Sequence, residues 1–376
     1  MVRIKMARRD FRTMKISGKH YRTIWRLADG TVQVIDQSRL PFAFEIRSLD
    51  SVEVAAHAIR TMVVRGAPLI GATAAYGIAL AMHHDASTRH LEASVALLRA
   101  TRPTAIDLAW ALGRMHAALA GIDAPQRAAM AWSIAAQICE DYVAQCRQIG
   151  AHGRKLIEAL AIRRQPVNIL THCNAGWLCS VDWGTALSPI YMAHDAGVAV
   201  HVWVDETRPR NQGASLTAYE LAAHGVPHTV IADNLGGHLM QRRRVDMVLV
   251  GSDRVTAAGD VCNKVGTYLK ALAARDNGIP FYAAMPVSTI DWTLQNGEDV
   301  PIEERSPDEL THVTGLAADG ALATVRVVPA GSPALNLGFD VTPAKLVTGL
   351  ITERGIHAAT RAALQRLNED RRIAHA

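Results

Sequence analysis

Pro166-Val167-Asn168-Ile169-Leu170-Thr171-His172-Cys173-Asn174-Ala175-Gly176 is the stretch on which the fold turns. Residues 167–171 form a short β-rich run that breaks into a turn of small residues, and runs of the same kind recur downstream at 198–204, 227–231, 245–250, 280–284 and 324–328. Helical patterns separate them at about 183–196, 214–224, 237–243, 264–276 and 342–354. Strands alternating with helices imply βαβ crossovers, so residues 165–376 read as a Rossmann-like domain with a doubly wound parallel sheet. Upstream the character differs. Two runs at 21–25 and 31–35 flank Ala28-Asp29-Gly30 as a small β-hairpin, and helical patterns follow at 50–63, 68–84, 104–120 and 126–160, which makes 14–164 a mainly helical domain. The fold class is therefore α/β. Residues 1–13 carry Arg3, Lys5, Arg8, Arg9 and Arg12 with little to pack, and read as a disordered extension in which Met14 is an alternative start.

With 49% of its 376 residues apolar and 20% charged, the chain can bury a large core and is not a disordered polymer. The longest apolar stretch, 68–82, falls short of the roughly 20 residues that a membrane helix needs, and no secretory signal follows the basic start. Five cysteines, an odd number without a C-x-x-C pair, suit a reducing compartment. The expected location is the cytoplasm. The net charge of +5 comes with one dense basic run, Arg242-Arg243-Arg244, and no aromatic-interleaved stripe, so that run reads as a solvated helix end rather than a nucleic-acid surface. An anionic small substrate accounts for the positive balance equally well.

Open α/β sheets bind ligands beyond the carboxyl ends of their strands. The residues to weigh there are His172-Cys173-Asn174, Asp205-Glu206-Thr207-Arg208, Asp233-Asn234, Gly251-Ser252-Asp253-Arg254 and Met285-Pro286. Cys173 reads either as a reactive thiol beside the free N–H groups of a turn or as a small buried hydrophobe, and the other four cysteines read as core. Burial would raise the pKa of Asp253 and suit it to donate a proton, whereas pairing with Arg254 would lower it; Asp205 and Asp233 invite the same two readings. His172 adjoins Cys173, yet neighbours on an extended strand face opposite sides. Arg65-Gly66-Ala67-Pro68 and Arg102-Pro103-Thr104 open helices, where a guanidinium and unpaired N–H groups make either a phosphate seat or a cap. Lys264 reads as a further cation at a helix start. No metal-ligand spacing and no phosphate-loop or dinucleotide fingerprint follows a strand, so neither metal nor nucleotide cofactor is expected.

Seven motifs occur in one order: Arg65-Gly66-Ala67-Pro68 with Ile70-Gly71, Arg102-Pro103-Thr104-Ala105, Cys173-Asn174-Ala175-Gly176, Glu206-Thr207-Arg208-Pro209 with Gln212-Gly213-Ala214, Gly251-Ser252-Asp253-Arg254, Asn263-Lys264-Val265-Gly266-Thr267-Tyr268 and Pro301-Ile302-Glu303-Glu304-Arg305. Together they resemble the methylthioribose-1-phosphate isomerase family, itself similar to the regulatory subunits of the eukaryotic translation-initiation exchange factor. The resemblance implies isomerisation of a sugar phosphate, 5-methylthioribose 1-phosphate, in methionine salvage by a cytoplasmic homodimer without cofactor. Carried over by position, it implies Cys173 and Asp253 as the catalytic pair and Arg65, Gly66, Ala67, Arg102, Gln212, Asn263 and Lys264 as the substrate contacts. Alternatives are an isomerase of 5-deoxyribose 1-phosphate or ribose 1,5-bisphosphate, and a non-catalytic regulatory subunit that binds a sugar phosphate or nucleotide. Asp107 stands where the family usually has Asn, and is expected on the polar side of a helix near the phosphate seat.

Overall fold

The computed structural model describes residues 15, 16 and 18–374, so the extension expected at 1–13 lies outside the described residues. A three-stranded antiparallel sheet, Ile24–Arg26, Val32–Ile35 and Ile46–Leu49, leads into five helices. These are α1 (Val52–Arg60), α2 (Ala67–His84), α3 (Thr88–Arg99), α4 (Ile106–Leu119) and α5 (Ala124–Ala161). Every residue of α2 from Pro68 to Met82 is buried, and an all-apolar helix of this kind belongs at the centre of a bundle. Around it pack Leu91 and Leu98 of α3, Leu108 and Met115 of α4, and Ala131, Ala135 and Ile138 of α5.

The second layer is a seven-stranded sheet: β1 (Val167–Thr171), β2 (Val200–Asp205), β3 (His228–Ile231), β4 (Met247–Val250), β5 (Phe281–Ala284), β6 (Gly349–Thr352) and β7 (Gly355–His357). Its order is 3-2-1-4-5-6-7, all parallel but for the β7 edge. Helices α6 (Leu187–Asp195), α7 (Ala218–His224), α8 (Leu235–Gln241) and α9 (Thr267–Asp276) make the crossovers. The order reverses between β1 and β4, and at such a switch point a crevice opens at the carboxyl ends. The 38-residue α5 joins the two layers: its first half packs on α2 while Ile149 and Ile157 join the core under the sheet. Gly150 and Gly153 admit α6, since a Cβ there would lie 2.2 Å from Ser188 Oγ and 2.5 Å from Pro189 Cγ.

Several expectations are corrected. Helix α3 is an additional element, capped by the Ser87 hydroxyl on His90 N–H. Residues 342–354 are not a helix but contain the fully buried β6, parallel to β5. The run at 324–328 does not enter the main sheet; Leu322–Arg326 pairs with His312–Leu316 in a separate hairpin. Lys264 ends a strand, Val261–Lys264, rather than starting a helix. That strand belongs to an unanticipated four-stranded sheet, flanked by Arg254–Thr256 and Phe339–Thr342 with Ile290–Asp291 at the edge. Among the described residues, no helix is long and apolar enough to cross a membrane.

Candidate active site

The chain leaves β1 through Cys173, whose φ of 67° turns the backbone sharply where an extended residue would carry it on. Thr207 Oγ1 accepts from Cys173 N–H at 2.8 Å and Thr217 Oγ1 donates to Cys173 O at 2.7 Å, so β2 and the helix beyond it hold this turn. Three strands on in sequence but adjacent in space, β4 delivers Gly251-Ser252-Asp253. Asp253 N–H bonds Cys262 O at 3.0 Å, and the strand Val261–Lys264 thereby brings Asn263 and Lys264 back over the same crevice. From the helical layer, Gly66 (φ 92°) starts α2, and a Cβ there would lie 2.5 Å from that of Cys179. Only glycine permits this approach.

These segments line a cavity that is partly open to solvent. Cys173, Asp253, Arg65, Gly66, Ala67, Arg102, Gln212, Asn263 and Lys264, the nine residues singled out from the sequence, all line it. Asp205 and Asp233 do not. Their carboxylates are taken up behind the wall, Asp205 by His172 Nδ1 at 2.9 Å and Lys270 Nζ at 3.2 Å, Asp233 by the N–H groups of Thr207 and Arg208 at 2.7 Å. Arg254 does not pair with Asp253; it reaches Asp291 at 2.9 Å. Asp107 is corrected too: it is fully buried, accepting from Ser288 Oγ at 2.8 Å and Thr289 Oγ1 at 3.3 Å, instead of lying on a polar helix face. Cys179, read as core, is buried and also forms part of the cavity wall. Arg305 lines the cavity but was not marked as a site residue, and only its place in the Pro301–Arg305 motif signalled it.

Electrostatics divide the site. Burial pushes the Asp253 carboxyl above the usual range, outweighing the pull of Lys264, Arg102 and Arg65. The Cys173 thiol is pushed up by burial against Arg65 and Lys264, and its Sγ donates to Gln212 Oε1 at 3.5 Å. Burial lowers Lys264, whose Nζ donates to Gly338 O at 2.7 Å. Arg65 is anchored on Asn174 Oδ1 and, at 2.7 Å, on Asn174 O, while Arg102 is held by Glu303 at 2.7 Å. Each guanidinium keeps a buried Nε without a partner. With Lys264 the two guanidinium groups give the cavity a cationic lining, which suits an anion. An acid whose pKa burial raises, a buried thiol and a cluster of cations suit proton-assisted rearrangement of a phosphorylated substrate.

Residues 63–359 match the Initiation factor 2 subunit family. A methylthioribose-1-phosphate isomerase of Methylorubrum populi is 66% identical over 364 residues, 96% of this chain and 100% of its own length. The crystal structure of 5-methylthioribose 1-phosphate isomerase from Pyrococcus horikoshii OT3 superposes with a TM-score of 0.80 at 38% identity, covering 93% of this chain and 96% of that one. Translation initiation factor eIF-2B, subunit delta, from A. fulgidus gives 0.75 at 37% identity over 90% and 96%.

Proposed function

Since the chain belongs to the initiation factor 2 subunit family and, within it, to the methylthioribose-1-phosphate isomerases, we propose that it converts 5-methylthioribose 1-phosphate to 5-methylthioribulose 1-phosphate in methionine salvage. In an aldose 1-phosphate the anomeric oxygen is esterified, so the ring opens only when an acid protonates the ring oxygen. Asp253 supplies that proton. As the bond between C1 and the ring oxygen breaks, the hydrogen on C2 passes to C1, the C2 hydroxyl becomes the ketone, and its proton returns to Asp253. Atoms and charge balance without an external carrier. Cys173 either takes the C2 hydrogen as a proton or walls a dry cavity through which it passes as hydride. Its raised pKa and its hydrogen bond to Gln212 favour the second route. Arg65, Arg102 and Lys264 hold the phosphate, with Gly66 and Ala67 at the start of α2 and Gln212 and Asn263 as polar contacts.

The observation that carries this reading is the convergence of three cations, Arg65, Arg102 and Lys264, on the cavity that Asp253 and Cys173 line. A second phosphate, as ribose 1,5-bisphosphate would bring, finds less: in the adjoining cleft Arg39, Arg208 and Arg210 are already engaged by Glu45, Leu310 O and Glu309. A non-catalytic regulatory subunit would have no use for the thiol and acid together. We further read the chain as a cytoplasmic homodimer. Five free, buried cysteines suit the reducing compartment, and sedimentation at twice 40.6 kDa tests the dimer. Purified protein incubated with each of the three candidate sugar phosphates and followed by phosphorus NMR tests the activity. Turnover is expected to be fastest on 5-methylthioribose 1-phosphate, and no turnover of it would end the proposal.

A further inference from the structure

Glu220 is a buried carboxyl to which neither catalytic role falls. It is 0% exposed in the first turn of α7, and four donors converge on it. Oε1 accepts from Asn174 Nδ2 at 2.8 Å and Leu178 N–H at 2.9 Å; Oε2 accepts from Trp177 N–H at 2.5 Å and Tyr191 O–H at 2.8 Å. None of the four is a cation. A charge-bearing group buried in this way is costly unless a countercharge lies near. The countercharge is one amide away: Asn174, itself 2% exposed, gives its N–H to Glu220 and offers both its side-chain and backbone oxygens to Arg65.

The backbone is shaped to reach this arrangement. Residues Gly213–Thr217 form a π-helical turn, with Ala218 N–H on Gly213 O, before α7 continues as an ordinary helix. The wider turn brings residues five apart onto one face. Gln212 and Thr217 thus both meet Cys173, Thr217 also accepts from Asn174 Nδ2 at 3.1 Å, and Glu220 one turn later closes on Asn174 and Leu178. Gly176 is part of the same fit, because a Cβ there would lie 2.1 Å from Glu220 Oε2.

We propose that Glu220 is a positioning residue for substrate phosphate, fixing the orientation of Asn174 and through it the guanidinium of Arg65. The inference rests on the reading of Arg65 as a phosphate contact. Asn174 turns its oxygen to Arg65 because its NH2 is held from behind by two acceptors, Thr217 Oγ1 at 3.1 Å and, more closely, Glu220 Oε1 at 2.8 Å. Replacing Glu220 by Gln removes that acceptor or breaks the turn, since either placement of the new amide sets its NH2 against a backbone N–H, Trp177 on one side or Leu178 on the other.

The test compares Arg65→Lys, Glu220→Gln, Asn174→Ala and the Glu220→Gln/Asn174→Ala double variant by KM, kcat and Tm. Glu220→Gln is expected to raise KM ~10-fold with kcat changed less than about threefold, and the double variant to show no higher KM than the worse single one. Multiplying KM effects, or a Tm loss with KM unchanged while Arg65→Lys raises it, would reduce Glu220 to a structural group and leave the phosphate reading intact. An unchanged KM in Arg65→Lys would overturn both. Should Glu220→Gln not fold, Asn174→Ala decides alone: the same KM rise supports the relay, and an unchanged KM ends it.

Discussion

At the scale of single residues, the proposed chemistry rests on a carboxyl, Asp253, whose pKa burial raises. Asp253→Asn keeps the shape and removes the proton supply, and kcat is expected to fall by ~10²–10⁴ with little change in KM. Because burial raises the pKa of Asp253, activity falls as pH rises through the raised value, and this alkaline limb is expected to vanish in the variant. The same shift has a sign for stability. A carboxyl whose folded pKa exceeds its unfolded one contributes stability below the unfolded pKa and loses it as pH rises through the folded value. Asp253→Asn is therefore expected to melt higher than the parent at neutral pH, with the gap closing as pH falls into the ordinary carboxylate range. Thermal melts at three pH values check this.

At the scale of elements, α4 carries a comparable burden. Asp107 lies in its first turn, where the helix dipole favours an anion, but it is fully buried with hydroxyl donors only, and burial raises its pKa. Asp107→Asn is expected to stabilise the protein by ~1 kcal/mol above neutral pH, the gain shrinking toward pH ~4, and to leave KM nearly unchanged. A lower Tm at alkaline pH would count against this account. Elements of this kind also show where sequence reading stops. Alternation of β-rich runs and helices was enough to place β1 to β5, because each run is bounded by turn residues. Around β6 it failed: Leu346, Val347, Leu350 and Ile351 recur at spacings of three and four, which match a helix as well as a short buried strand, and only pairing with β5 decides. The switch to a strand at Val261–Lys264 was hidden for a related reason. One of its two pairing partners, Phe339–Thr342, lies far along the chain, and the other, the adjacent Arg254–Thr256, is only three residues long, too short for alternation to announce a hairpin. The cavity residues were legible because strand-end position, helix-start arginines and ordered motifs agreed; Arg305, joined to Glu303 and Glu309 at 2.7 and 2.6 Å, looks in sequence like any surface ion pair.

At the scale of the whole molecule, one cluster invites a test for metal. Among the described residues, His172, Asp205 and Asp233 form the one group that could hold a cation, and the ammonium of Lys270 already reaches Asp205 at 3.2 Å and Asp233 O. Exhaustive EDTA treatment is expected to leave activity unchanged; loss restored by one divalent ion would place a metal in the account. Arg102 and Glu303 have a different consequence. They are 201 residues apart in sequence, and the Arg102 guanidinium that we propose to hold phosphate is fixed only when both are in place. Contacts of such long range form late, since loop closure must be complete before they stabilise anything. In refolding from denaturant, recovery of helical circular dichroism is expected to precede recovery of turnover. By the same logic a chain still emerging from the ribosome has its helices, its thiol and its acid well before it can catalyse anything, and becomes an enzyme only when the segment carrying Glu303 comes free.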